Sequence, residues 1–150
     1  MGSRGARAKI RTGGVVAEAI PPVGEVARFL EACATARVPF KATAGLHHAI
    51  RAERPLTYAA DSPRAVMHGC LNLLAAAAMA WRGLRGETLE AVLREEDAAS
   101  FRIDDDGFRW RDRFVATADL AACRSSFARS FGSCSFAEPV AELRSLGFVP

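Results

Sequence analysis

Lysine is nearly absent from this chain of 150 residues: Lys9 and Lys41 are the only two, and the other eighteen cations are arginine. A lysine that persists against such a bias draws attention, because an ammonium differs from a guanidinium in nucleophilicity and in how readily its proton can be tuned. Histidine occurs at His47, His48 and His68 alone. Cys33, Cys70, Cys123 and Cys134 form no CxxC pair, which speaks against a zinc site and a disulfide framework, and predicts buried free thiols in a reducing, cytoplasmic setting. The most apolar stretch, Val66 to Trp81, falls short of the about 20 residues that span a bilayer. No apolar segment follows the basic start Met1 to Arg7, a flexible N-terminus in this reading. A cofactor fingerprint and a locally assembled catalytic triad are missing too, so the cofactor stays unspecified.

The net charge of +3 is mild and the arginines are interspersed with acids. Scattered charge of that kind favours neither nucleic acid nor a membrane surface as partner. Half of the residues are hydrophobic, which suffices for one core and one domain over 1–150.

Periodicity gives the order of elements. Ala8 to Thr12 reads as a strand ended by Gly13 and Gly14, where positive φ and close approach of the backbone to a ligand are allowed. Pro21 and Pro22 precede a helix with Val23, Val26, Ala27, Leu30, Cys33 and Ala34 on one face. Val38 to Ala44 forms the next strand, closed by Gly45, and this strand, helix, strand spacing predicts parallel pairing with a right-handed crossover. A loop over Arg51 to Asp61 leads to a helix capped by Asp61 or Ser62, with Pro63 in its first turn and Met67, Cys70, Leu71, Leu74, Ala77, Ala78 and Trp81 in phase. A shorter helix capped by Thr88 follows. Phe101 to Trp110 reads as a hairpin around Asp104-Asp105-Asp106-Gly107, acids that turn chemistry explains without a metal. A helix near Thr117, a third core strand at Phe131 to Phe136 and a final helix from Pro139 complete the chain. The fold expected is α/β: a small parallel sheet of βα units, with an inserted helical pair and β-hairpin.

The chemistry gathers in Val38 to His48, because parallel α/β folds place ligands where strands end. Lys41 is the first candidate, as base or Schiff-base nucleophile, with Lys9 on the neighbouring strand and His47 or His48 to move a proton. Backbone N–H groups and side chains of Arg11, Thr12, Gly13, Gly14, Gly45, Ser133 and Ser135 are candidates for holding an anion. Together they suggest a lyase or isomerase acting on a small anionic carbonyl compound. A non-catalytic binding or assembly module is the alternative, and a metal site of His47, His48 and His68 a second one, although adjacent histidines on an extended segment point to opposite sides. Cys134 and Ser133 have no base or orienting acid nearby in sequence, so packing is expected of the thiol and anion binding of the hydroxyl.

Lys9-Ile10-Arg11-Thr12-Gly13-Gly14, Phe40 to His48, His68 to Asn72 and Phe131 to Pro139 together resemble the C-terminal half of an uncharacterised bacterial α/β family about twice as long. The resemblance implies a barrel-like parent whose N-terminal half is missing here, and brings no reaction with it. It implies a half-barrel-like unit whose exposed sheet edges favour a homo-oligomer or a docking partner.

Overall fold

The computed structural model describes residues 5–150, so the expected flexible start at 1–7 falls largely outside it. Three short strands, β1 (Ala8–Arg11), β2 (Phe40–Thr43) and β8 (Ala128–Gly132), form a parallel sheet in the order β1-β2-β8. The parallel pairing of β1 and β2 agrees with the βαβ reading. Two antiparallel units are inserted between β2 and β8. One is the pair β3 (Ala52–Pro55) and β4 (Arg64–Met67), the other a meander of β5 (Phe101–Asp104), β6 (Gly107–Trp110) and β7 (Arg113–Ala116). None of these sheets closes on itself.

Five α-helices occur among the described residues: α1 (Val23–Ala36), α2 (Cys70–Trp81), α3 (Gly86–Arg94), α4 (Thr117–Ser126) and α5 (Ala137–Ser145). The stripe expected for α1 is buried at Val23, Val26, Ala27, Leu30 and Cys33, and the helix stops without a glycine: Arg37 takes the left-handed conformation, φ 53°, and its N–H bonds back to Ala34. Helix α2 is buried over ten of its twelve residues and forms the centre of the core. Phe127 joins it to the sheet, its ring 5.3 Å from Trp81 and 5.0 Å from Phe40.

Several expectations are corrected. The helix assigned from Pro63 begins only at Cys70. Met67 is in helical phase with Cys70, Leu71 and Leu74, but residues 64–67 instead pair across β3, with Ala52 opposite Met67 and Pro55 opposite Arg64. Part of the expected loop at 51–61 is therefore strand. Gly69 stands at the boundary, where no side chain fits: a Cβ there would lie 2.4 Å from Asn72 Oδ1 and 2.6 Å from Ala49 O. Helix α3 starts at Gly86 instead of Thr88, and its first free N–H is taken by Glu31 Oε1 of α1 at 2.7 Å. The hairpin around Asp104 to Gly107 forms as read, with Asp104 Oδ1 accepting from the N–H groups of Asp106 and Gly107, and gains β7 as a third strand.

The third parallel strand is displaced towards the N-terminus. It covers Ala128–Gly132, not Phe131 to Phe136, since Phe127 and Ala128 fill the core while Phe136 is more than half exposed. Ser133 to Phe136 thereby become the loop between β8 and α5.

Candidate functional site

A cleft of about 690 Å³ opens at the C-terminal edge of the parallel sheet, where β1, β2 and β8 all end. Arg11, Thr43 and Gly132 form its floor, the β3–β4 hairpin contributes Arg54, Leu56 and Tyr58, and the approach to α5 contributes Ser133, Cys134 and Glu138. His47 and His48 both line it. They do so because the chain turns after β2: Ala44 and Gly45 have φ of 66° and 76°, so the opposed orientation expected of an extended pair does not arise.

The glycines at the strand ends serve each other. A Cβ on Gly13 would lie 2.7 Å from Gly45 Cα, and the buried Thr12 hydroxyl donates to Ala44 O at 2.6 Å. This backbone contact draws the two strand ends together and occupies the approach that the sequence suggested for a ligand. Gly14 reaches the cleft, and Arg11 folds back so that its Nε donates to Gly13 O at 2.8 Å. Ser135 Oγ accepts from Ala137 N–H at the start of α5.

Around His47 the side chains form a relay. Cys134 Sγ packs against the ring, 3.4 Å from Nε2 and 3.6 Å from Nδ1. Nδ1 faces Ser133 Oγ at 3.2 Å and Glu138 Oε2 at 3.4 Å. The other carboxylate oxygen, Oε1, accepts from the hydroxyl of Tyr58 at 2.6 Å. That hydrogen bond is the main reason that the Glu138 carboxyl is held below the usual carboxylate range, with the charges of His47 and His48 adding to it. The same bond raises the Tyr58 phenol. Cys134 is exposed, which corrects the expectation of four buried thiols; Cys33, Cys70 and Cys123 are buried. Burial raises all three, Cys70 to about 11.

His48 belongs to a second cluster. Its Nδ1 lies 2.6 Å from Glu142 Oε1, while Glu142 Oε2 accepts from Ala49 N–H at 2.8 Å. Glu142 thus fastens α5 to the histidine loop. The loop is fastened from below as well, since His48 O and Ala49 O accept from the first N–H groups of α2. His68 lies elsewhere, buried, with Nε2 2.8 Å from Pro21 O. Desolvation lowers its pKa, and nearby Arg51 adds to the shift. The three histidines therefore converge on no common point, and among the described residues no group of three or more His, Cys, Asp or Glu is arranged to hold a metal ion.

Lys9 and Lys41 face each other in register on β1 and β2, exposed on the sheet face opposite the core. Neither lines the cleft. What the sequence did not reveal is this cluster, because His47 is 87 residues from Cys134, with Glu138 four residues further on at the start of α5. The available signal is a Ser-Cys pair between a strand end and a helix start.

Among the described residues no helix is long and apolar enough to cross a membrane. Comparison with protein-family models, with curated proteins and with solved structures finds no match to this chain.

Proposed function

We propose that the cleft is the active site of a thiol-dependent enzyme acting on a small anionic carbonyl compound, with Cys134 as nucleophile. The observation that carries this reading is the placement of an exposed cysteine against the His47 ring, 3.4 Å from Nε2 and 3.6 Å from Nδ1, with the Glu138 carboxylate 3.4 Å from Nδ1. That is the order of groups that nucleophilic acyl transfer needs: nucleophile, base, orienting acid.

In the proposed reaction His47 takes the thiol proton as Sγ attacks the carbonyl carbon. The imidazolium then gives that proton to the leaving group as the carbon to leaving-group bond breaks, and a thioester remains on Cys134. Water, deprotonated by the same ring, releases the acid and restores the thiol. Glu138 holds the ring and stabilises its cationic form. Tyr58 in turn fixes Glu138. Arg11 and Arg54 supply positive charge to the anionic part of the substrate.

Incubation with p-nitrophenyl esters of succinic and acetic acid tests the proposal. A burst of nitrophenol with acyl mass on Cys134 is expected, faster for the anionic ester by about tenfold and lost in Cys134→Ser. No adduct on Cys134 with either ester would refute it.

Lyase or isomerase chemistry through Lys41 has less support, since Lys41 lies outside the cleft lining. The assembly reading keeps one specific observation. Helices pack on the β1-β2-β8 sheet, and among the described residues β1 and β8 have no strand partner on their outer sides. Light scattering at micromolar concentration supports association through those edges if the mass is that of a dimer, and counts against it if the mass is that of a monomer.

A further inference from the structure

The strands of the parallel sheet carry Ala-Lys-Ile-Arg, Phe-Lys-Ala-Thr and Ala-Arg-Ser-Phe-Gly, with no acid among them. Register sets Lys9 beside Lys41, and Lys41 beside Ser130. Adjacent strands are separated by about 4.8 Å, so the two ammonium groups rise from neighbouring positions on one face. Arg11, paired with Thr43, stands two residues further along β1 on the same face and lines the cleft. The cations thus make a continuous strip from the open sheet into the site.

This arrangement is unusual in two respects. Faces of parallel sheets are as a rule covered and apolar, yet Lys9 and Lys41 are exposed. Like charges placed directly across two strands also repel, and neither lysine forms an ion pair among the described residues, although nine pairs involving arginine or histidine occur elsewhere. A second copy laid face to face would set lysines against lysines. An anion bridging the pair removes the repulsion.

We infer that Lys9, Lys41 and Arg11 form a phosphate subsite that takes the phosphorylated tail of the substrate whose carbonyl end is presented to Cys134. The inference rests on the cleft being the active site and narrows its substrate class to phosphate-bearing acyl compounds. Phosphate fits better than carboxylate because its oxygens can accept from both ammonium groups and the guanidinium at once. Ser130, in the same row, offers a hydroxyl donor.

Calorimetric titration with inorganic phosphate and with pyrophosphate tests the subsite separately from the chemistry. Saturable binding is expected, equal in the natural chain and in Cys134→Ser. It should weaken at least about tenfold when Lys9→Ala and Lys41→Ala are combined, and recover when both positions carry arginine, as expected of a charge-assisted site. A matched thermal midpoint confirms that the variants are folded. Absence of binding at millimolar phosphate and pyrophosphate, or binding that ignores the lysine substitutions, would overturn the inference. So would a single-stranded oligonucleotide that binds more tightly than pyrophosphate through the same lysines, which would assign the strip to nucleic acid. Loss of the Cys134 acyl adduct with phosphate binding intact would instead remove the thiol chemistry and leave the subsite standing.

Discussion

Tyr58 and Glu138 meet across the mouth of the cleft, the hydroxyl of one donating to Oε1 of the other at 2.6 Å, while Oε2 of the same carboxylate faces His47. The β3–β4 hairpin is thereby tied to the start of α5 through the residue that orients the proposed base. Tyr58 is the only tyrosine in the chain, so its ionisation can be read directly from ultraviolet absorbance. The transition is expected above the ordinary tyrosine range, because the Glu138 hydrogen bond stabilises the protonated phenol. Glu138→Gln should bring it back down, and an unchanged transition would show that the bond does not form in solution.

Glu95 governs a different part of the molecule. Burial by itself would raise its carboxyl, but the Asp97 N–H, Trp110, Arg111 and Ser100 outweigh that and hold it below the usual range. The folded value is thus depressed relative to the unfolded one, so this contribution to stability is complete above the unfolded value and disappears as pH falls through the folded one. Glu95→Ala should cost about 3 kcal/mol at neutral pH by leaving Trp110 Nε1 and Arg111 without their acceptor. Urea denaturation across the acidic range should show a shallower fall in the variant than in the natural chain.

Asn72 links the core to the histidine loop. It is fully buried, accepts from Arg51 N–H at 2.8 Å and donates to Val92 O and Glu95 O. Asn72→Ala should cost roughly 3 kcal/mol, and through Arg51 it should also loosen the segment that carries His47 and His48. Faster amide exchange in residues 47–51, measured where the variant is still folded, is the expected signature.

His68 should resist protonation. Its lowered value follows first from desolvation and then from the charge of Arg51. A histidine depressed in the folded state gives stability that is complete above its unfolded value and is lost as pH falls through the folded one. Carbon-13 shifts of the His68 ring should therefore titrate below the ordinary histidine range. Titration at or above that range would contradict the buried environment.

Much of the architecture is legible in the sequence because it follows from local pattern. The α1 stripe, the Asp-Gly hairpin and the strand-helix-strand spacing each give one answer, and the structure agrees with it. The errors fall where a short apolar run fits two periods. Met67 is in phase with Cys70 and Leu71 as a helix would require, but cross-strand pairing with Ala52 decides its conformation. Phe131 to Phe136 reads as a strand by composition, yet the register with β2 ends it at Gly132. Packing is expected of Cys134 because no base lies near it in sequence, and the approach of His47 across 87 residues cannot be deduced from spacing. Lys41 drew attention by its rarity, a property of composition that carries no information about which way a strand faces.

The proposed nucleophile is tested most directly by the rate at which iodoacetamide alkylates each cysteine, followed by peptide mass mapping. Cys134 should react first, since Cys33, Cys70 and Cys123 are buried and shifted upward. Its rate near neutral pH should fall about tenfold or more in His47→Ala, and by a smaller factor in Glu138→Gln. A Cys134 rate that stays the same without the His47 imidazole would contradict its activation and, with it, the assignment of the cleft as a thiol-dependent active site.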